Sequence, residues 1–157
     1  MRVHMRSVRR KDREIGTDEV IGLLLTGEYG VLSTSGADGQ AYGVPLSYAF
    51  KDNHIYFHCA LSGHKLENIE NNPLVSFCVV GKTKVLPEKF ATEYESAVAF
   101  GIASEITGAE RFAALLLLLQ KYTPEFLEEG EKYIAQKDLA TKVFKIELTA
   151  ISGKARR

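Results

Sequence analysis

Two runs of turn residues, Ser35-Gly36-Ala37-Asp38-Gly39 and Lys51-Asp52-Asn53, each lie between segments that read as strands. Connections this short cannot hold a crossover helix, so the strands they join must pair antiparallel, as hairpins. The segments concerned are Tyr29 to Thr34, about Gln40 to Phe50, and His54 to Ala60. Leu74 to Val80 is almost continuously apolar, the signature of a buried strand, and Tyr94 to Ile106 is a long strand with small residues at Ala97, Ala99, Gly101 and Ala103. In the last strand Phe144, Ile146, Leu148 and Ala150 alternate with Lys145, Glu147 and Thr149. About six mostly antiparallel strands must curl to hide their faces and edges. The expectation is an α+β chain built round a small β-barrel with peripheral helices.

Helix signals fall between the strands. Thr17 and Asp18 open a helix to about Leu25, ended by Gly27. Thr107-Gly108-Ala109-Glu110 has capping-box spacing and starts a helix carrying Phe112, Leu115, Leu116 and Leu119 on one side. Thr123-Pro124 fits an N-cap with proline at the first helical position. Gly81 to Lys89 reads as a loop. Pro45 interrupts its strand; because it cannot donate to a ladder, it implies an edge, a bulge, or backbone turned toward something other than a neighbouring strand.

At 157 residues the chain is expected to be one domain over 1–157, its basic lead (1–14) partly mobile. Twenty basic residues balance twenty acidic ones, so no global field steers it to nucleic acid or an anionic membrane. The basic ends, Arg2 to Arg13 and Lys154 to Arg157, have no interleaved aromatic residues for base stacking. The two cysteines, Cys59 and Cys78, form no C-x-x-C pair, and no apolar segment follows the basic N-terminus. The leucine run Leu115 to Leu119 is too short to span a bilayer. A reducing cytoplasm is the expected location.

The densest chemical signal is Tyr56-Phe57-His58-Cys59-Ala60-Leu61-Ser62-Gly63-His64-Lys65-Leu66-Glu67-Asn68, a strand passing through a Ser-Gly turn into a helix that ends at Asn71-Asn72-Pro73. The first amides of a helix lack intrahelical partners and carry the positive end of its dipole, so a phosphate can rest on them while Lys65 neutralises it. Ser62 is the expected N-cap, and Gly63 allows close approach. A capped surface helix with a solvated lysine explains the same residues. No Walker motif is formed, since Ser76 stands where Gly81-Lys82-Thr83 would need its leading glycine, and no G-x-G-x-x-G occurs. Strand alternation sends His58 and Cys59 to opposite faces, which argues against zinc, and no metal site is expected. Lys65, His58 and the broken strand with Ser47 and Tyr48 describe a pocket for a phosphorylated aromatic ligand better than a hydrolytic site.

The runs Gly43-Val44-Pro45-Leu46-Ser47-Tyr48, Ile55 to Ala60, Gly63 to Ile69 and Asn72-Pro73-Leu74-Val75-Ser76-Phe77 resemble, in order and spacing, the FMN-binding split-barrel family, in particular pyridoxamine 5′-phosphate oxidase-related proteins of the nitroimidazole-resistance type. The resemblance implies a split β-barrel and a homodimer with FMN at the subunit interface. It places Val44, Pro45, Leu46, Ser47 and Tyr48 beside the isoalloxazine, Lys65 on the FMN phosphate with Ser62 and Gly63 shaping the turn, and Asn68 nearby. His58 resembles a histidine close to the flavin's reactive face, a catalytic candidate; a barrel-wall histidine bonded to backbone is the alternative. Tyr94 and Ser96 would lie on the dimer-facing strand. The arginine-rich C-terminal motif of true pyridoxamine phosphate oxidases is absent, so that activity is not expected. The implied function is an oxidoreductase reducing a small electron-poor molecule such as a nitroaromatic, with NADH or NADPH as candidate donor. A non-catalytic flavin carrier and a haem-binding split barrel are the alternatives.

Overall fold

The computed structural model describes residues 6–157. In chain order it contains α1 (Thr17–Thr26), β1 (Gly30–Ser35), β2 (Ala41–Leu46), β3 (Ala49–Lys51), β4 (His54–Cys59), α2 (His64–Asn71), β5 (Leu74–Leu86), β6 (Ala91–Ile106), α3 (Gly108–Tyr122), α4 (Leu127–Lys137) and β7 (Lys142–Arg156). The seven strands form one sheet in the order β2-β1-β5-β6-β7-β4-β3, every pairing antiparallel. Its two edges, β2 and β3, are consecutive in sequence, joined only by Ser47 and Tyr48. A link that short forces the sheet to curl until its edges meet without pairing, which makes a split barrel rather than a closed one.

Both hairpin turns form as their residues dictate. Gly36 N–H donates to Gln40 O and Gly39 N–H to Gly36 O, with Gly39 at φ 82°. Asp52 and Asn53 both take positive φ, the geometry of a two-residue hairpin turn. The Asn53 amide also donates to Leu148 O, tying the turn to β7. Pro45 sits on edge strand β2, where its missing N–H costs no ladder bond to a further strand.

Alternation sends Leu32, Ile55, Phe57, Val75, Phe77, Val79, Ala97, Ala99, Phe144, Ile146 and Leu148 into the barrel, where Val20 and Leu24 of α1 join them. A second cluster beneath α3 holds Ala49, Ile106, Ala114, Leu115, Leu118 and Val143. β7 therefore serves two cores, Phe144 facing one and Val143 the other. Thr149 is the extra residue of a bulge in β7, since Phe100 pairs with Ala150 and Gly101 with Leu148.

Several expectations need correction. There are seven strands, because the segment from Gln40 to Phe50 breaks at Ser47-Tyr48 into β2 and β3. Gly81 to Lys89 is not a loop: β5 runs on to Leu86 past a register shift between Val80 and Thr83, and Thr83 to Leu86 pairs with Ala91 to Tyr94 as an arm. The arm carries exposed Val85 and Phe90. Thr107 stands at the N-cap of α3 without a side-chain cap bond, and Glu110 instead pairs with Lys145 across to β7. The buried stripe of α3 is Ala114, Leu115 and Leu118, while Phe112 is exposed. Thr123 does stand at an N-cap with Pro124 in the first turn, but of a 3-10 turn over Pro124–Phe126 that precedes α4, and its hydroxyl donates back to Leu119 O of α3 rather than capping. Of the basic lead, residues 1–5 lie outside the described residues. Beyond them Val8 is buried, Lys11–Arg13 form a 3-10 turn and Glu14 bridges to Lys154, so this part of the lead is docked on the barrel.

Candidate functional site

β4 ends at Cys59 and the chain turns through Gly63, at φ 149°, into α2. Leu66 and Glu67 N–H both donate to Gly63 O, whereas the amides of His64 and Lys65 have no hydrogen-bond partner among the described residues. Gly63, not Ser62, is the N-cap, and no side chain caps the turn; Ser62 is exposed. Nothing lies within 4 Å of the position a Gly63 Cβ would take. Lys65 is half-buried and makes no ion pair among the described residues. Its charge is felt at Cys59, where burial pushes the thiol pKa up while Lys65 and Lys142 pull it back. His64 packs on Tyr42 of β2 with ring centroids 4.0 Å apart, which brings the helix start against the barrel edge. Two free amides, an open glycine and an unpaired half-buried lysine form a cradle suited to an anion.

Asn68 points the other way. It is buried, and its amide donates to Thr34 Oγ1 at 2.9 Å, pinning α2 to β1. Its neighbour Asn72 does the same with Ser35. Asn68 thus holds the cradle in place from behind.

On β2, Val44 and Leu46 lean on the core while Pro45, and Ser47 in the link that follows, are exposed. Tyr48 departs from its expected place beside a ligand ring. Its own ring is fully buried against Phe77, its hydroxyl donates to Leu24 O at 2.6 Å, and burial drives its pKa upward. Its backbone is engaged as well: Tyr48 N–H donates to the Tyr122 hydroxyl at 3.0 Å, and Lys121 Nζ donates to Tyr48 O at 2.9 Å. Lys121 Nζ also stands 3.7 Å from the centre of the Tyr48 ring. Burial lowers the pKa of this lysine to about 8. The C-terminal end of α3 therefore clamps the link between the two sheet edges.

Ser47 and His58 meet at a cavity of about 330 Å³ between β4, α3 and α4. His54, Tyr56 and His58 face outward on β4, opposite the core residues Ile55 and Phe57. The surrounding protein lowers the His58 pKa by desolvation, which favours its neutral form. Arg111 lines the same cavity, held by an ion pair with Asp138 and by bonds to Asp138 O and Thr141 O. Of the residues grouped from the sequence, Ser47 and His58 line this cavity and Lys65 does not. The α3–α4 wall, Leu115, Leu118, Tyr122 and Ile134 included, is missed altogether, as is the clamp of Lys121 on Tyr48. The only local signal is the apolar period from Ala114 to Tyr122. Among the described residues no three His, Cys, Asp or Glu side chains converge as metal ligands, and no helix is long and apolar enough to cross a membrane.

A curled antiparallel sheet split at one seam, with helices outside it, defines the split-barrel class. The chain belongs to the pyridoxamine 5′-phosphate oxidase family, whose model matches residues 16–155. No curated protein matches its sequence. Among solved structures it is similar to a candidate 5-nitroimidazole antibiotic resistance protein from Bacteroides thetaiotaomicron, at 19% identity and TM-score 0.73, covering 90% of this chain and 85% of that one. A FAD-binding protein from Mesorhizobium loti matches at 24% identity and TM-score 0.65, over 92% and 98% of the two chains. A FAD- and haem-binding protein from Mycobacterium smegmatis matches at 17% identity and TM-score 0.75, over 92% and 74%.

Proposed function

We propose that this chain is a flavin-dependent oxidoreductase that binds FMN and reduces a small electron-poor molecule, such as a nitroaromatic, with a reduced nicotinamide as electron donor. The observation that carries the cofactor assignment is the cradle at Gly63: two unpartnered amides beside a lysine that no carboxylate among the described residues neutralises. Lys65 and the His64 and Lys65 amides would hold the phosphate. Pro45 on β2 and Ser47 in the link that follows, both exposed, would border the ring, with Val44 and Leu46 fixing the strand from within. Tyr48 is left out of the ring contact and Asn68 supports rather than touches. When bound, the flavin supplies the redox chemistry. His58, kept neutral, can donate or accept one hydrogen bond to a substrate at the cavity mouth.

The same reading makes the active form a homodimer. Leu74, Cys78 and Val80 on β5 and Val98, Phe100 and Ile102 on β6 lie on the face of the sheet opposite the core, in register with one another. Val80 and Ile102 remain 57% and 41% exposed in the single chain, an apolar sheet face of the kind a second copy covers. A cytoplasmic setting, with its supply of reduced nicotinamide, fits this activity.

The test is the visible spectrum of the purified protein followed by FMN titration of wild type and Lys65→Ala. A flavin spectrum, released cofactor identified as FMN, and affinity weakened roughly ten- to a hundredfold by loss of a charge-assisted contact are expected. Unaltered affinity would sink the phosphate assignment, and a Soret band would replace the flavin reading with a haem one.

A further inference from the structure

We infer that the cavity between β4, α3 and α4 binds an uncharged, single-ring organic molecule, which is the substrate class of the reductase proposed above. The inference rests on that reading for the reaction, but the binding requires no flavin.

Size and lining set the class. An apolar cavity of about 150 Å³ is enough to take benzene, so the 330 Å³ here holds a ring with substituents. Leu115, Leu118, Leu119 and Ile134 make the apolar walls, with Tyr122 and Tyr133 closing the sides. Ser47 and His58, coming off the seam and β4, add polar groups to a lining that also holds Arg111, Thr123, Asp138 and Thr141. Neither the Ser47 nor the His58 side chain has a hydrogen-bond partner among the described residues. A ligand that offers one amide, hydroxyl or nitro group there completes both while its ring displaces water from the leucines.

The charges argue against an anion. Arg111 is the one cation set into the wall, and its guanidinium is already committed to the Asp138 carboxylate and to the carbonyls of Asp138 and Thr141. A carboxylate entering the cavity would have to break that set or lie unpaired against the leucine walls of a half-open cavity. Desolvation lowers the His58 pKa and favours its neutral form, so the ring offers an anion little positive charge. Lys137 stands exposed at the rim, in the last turn of α4, where water screens it.

The test uses the full-length protein, with and without FMN, titrated by calorimetry with 4-methylbenzamide and its anionic near-isostere 4-methylbenzoate. Titration at about pH 7.5 keeps the histidine neutral. The benzamide is expected to bind at least about tenfold more tightly than the benzoate, a difference on the order of 1.4 kcal/mol. Ile134→Trp, which fills the cavity from its half-buried wall, should abolish binding. His58→Ala, at an exposed position that leaves the fold intact, should weaken the benzamide roughly two- to tenfold. Equal or tighter benzoate binding, binding indifferent to both substitutions, or no binding of the benzamide at millimolar concentration would overturn the proposal. Benzamide binding with the expected responses in a protein that takes up no flavin would uphold the site and refute the reductase.

Discussion

Replacing Tyr48 by Phe removes one oxygen atom from the most crowded point of the barrel. The hydroxyl donates at 2.6 Å to the carbonyl of Leu24, a residue with no exposed surface. That carbonyl is one of the last four of α1, which have no N–H four residues on within the helix. Gly27 N–H takes care of Leu23 O, and the phenol takes care of Leu24 O. A phenylalanine ring at this position would fill the same volume, so no cavity term enters, and the backbone bonds of residue 48 to Lys121 and Tyr122 would survive. What remains is a bare buried carbonyl, at a cost of about 1–3 kcal/mol. For a chain of this length each kcal/mol lowers Tm by roughly 2–4 °C, so a fall of about 2–12 °C is expected. Urea unfolding at fixed protein concentration measures it, with Tyr42→Phe as control, because no hydrogen bond of that hydroxyl is present among the described residues. A Tyr48→Phe stability within about 0.5 kcal/mol of wild type, the ordinary range for a neutral surface change, would refute the argument.

Lys121 makes a pH-dependent contribution whose sign follows from its pKa of about 8 against 10.5 for the free side chain. Between those values the unfolded chain holds more proton than the folded one, so stability rises as pH climbs from 8 and the cost of the buried charge is present in full below it. Relative to Lys121→Met, wild type should gain on the order of 2 kcal/mol across that window in paired urea titrations, the full shift being discounted for the part of the amine that water still screens; a constant gap would show that the amine is not desolvated. For the dimer, Val80→Lys with Ile102→Lys puts two charges on the outer sheet face without touching the core. The mass measured by light scattering should halve and FMN retention fall, and an unchanged mass would place the subunit contact elsewhere.

The parts of the fold legible in sequence are those written within a few residues. Both hairpins, the edge position of Pro45 and the end of α2 before Pro73 follow from turn and proline chemistry that acts locally. The arm beyond Gly81 reads as a loop because Lys82, Thr83 and Lys84 carry no apolar signal, and in the structure both faces of the arm meet water. Tyr48 reads as ligand-facing because a tyrosine beside a serine on a broken strand looks polar. Its hydroxyl serves a helix carbonyl twenty-four residues away in sequence, and its backbone is held by residues more than seventy away. No local pattern announces such contacts. The site divides the same way: the Gly63–Lys65 cradle is a local motif and visible, while the α3–α4 wall reaches Ser47 and His58 only through the tertiary fold.

The order of the strands also governs how this chain can be made. β7 lies between β6 and β4, so the short hairpin of β3 and β4, though packed against α3, has no strand to pair with in the rest of the sheet until Lys142–Arg156 is available. During synthesis the chain as far as Thr141 can build β2-β1-β5-β6 with α1 against it, but β3 and β4 must wait as a two-stranded hairpin, too small to be stable alone. A chain stopped before Lys142 should be cleared by proteases as an incomplete sheet rather than persist as a shortened but working protein.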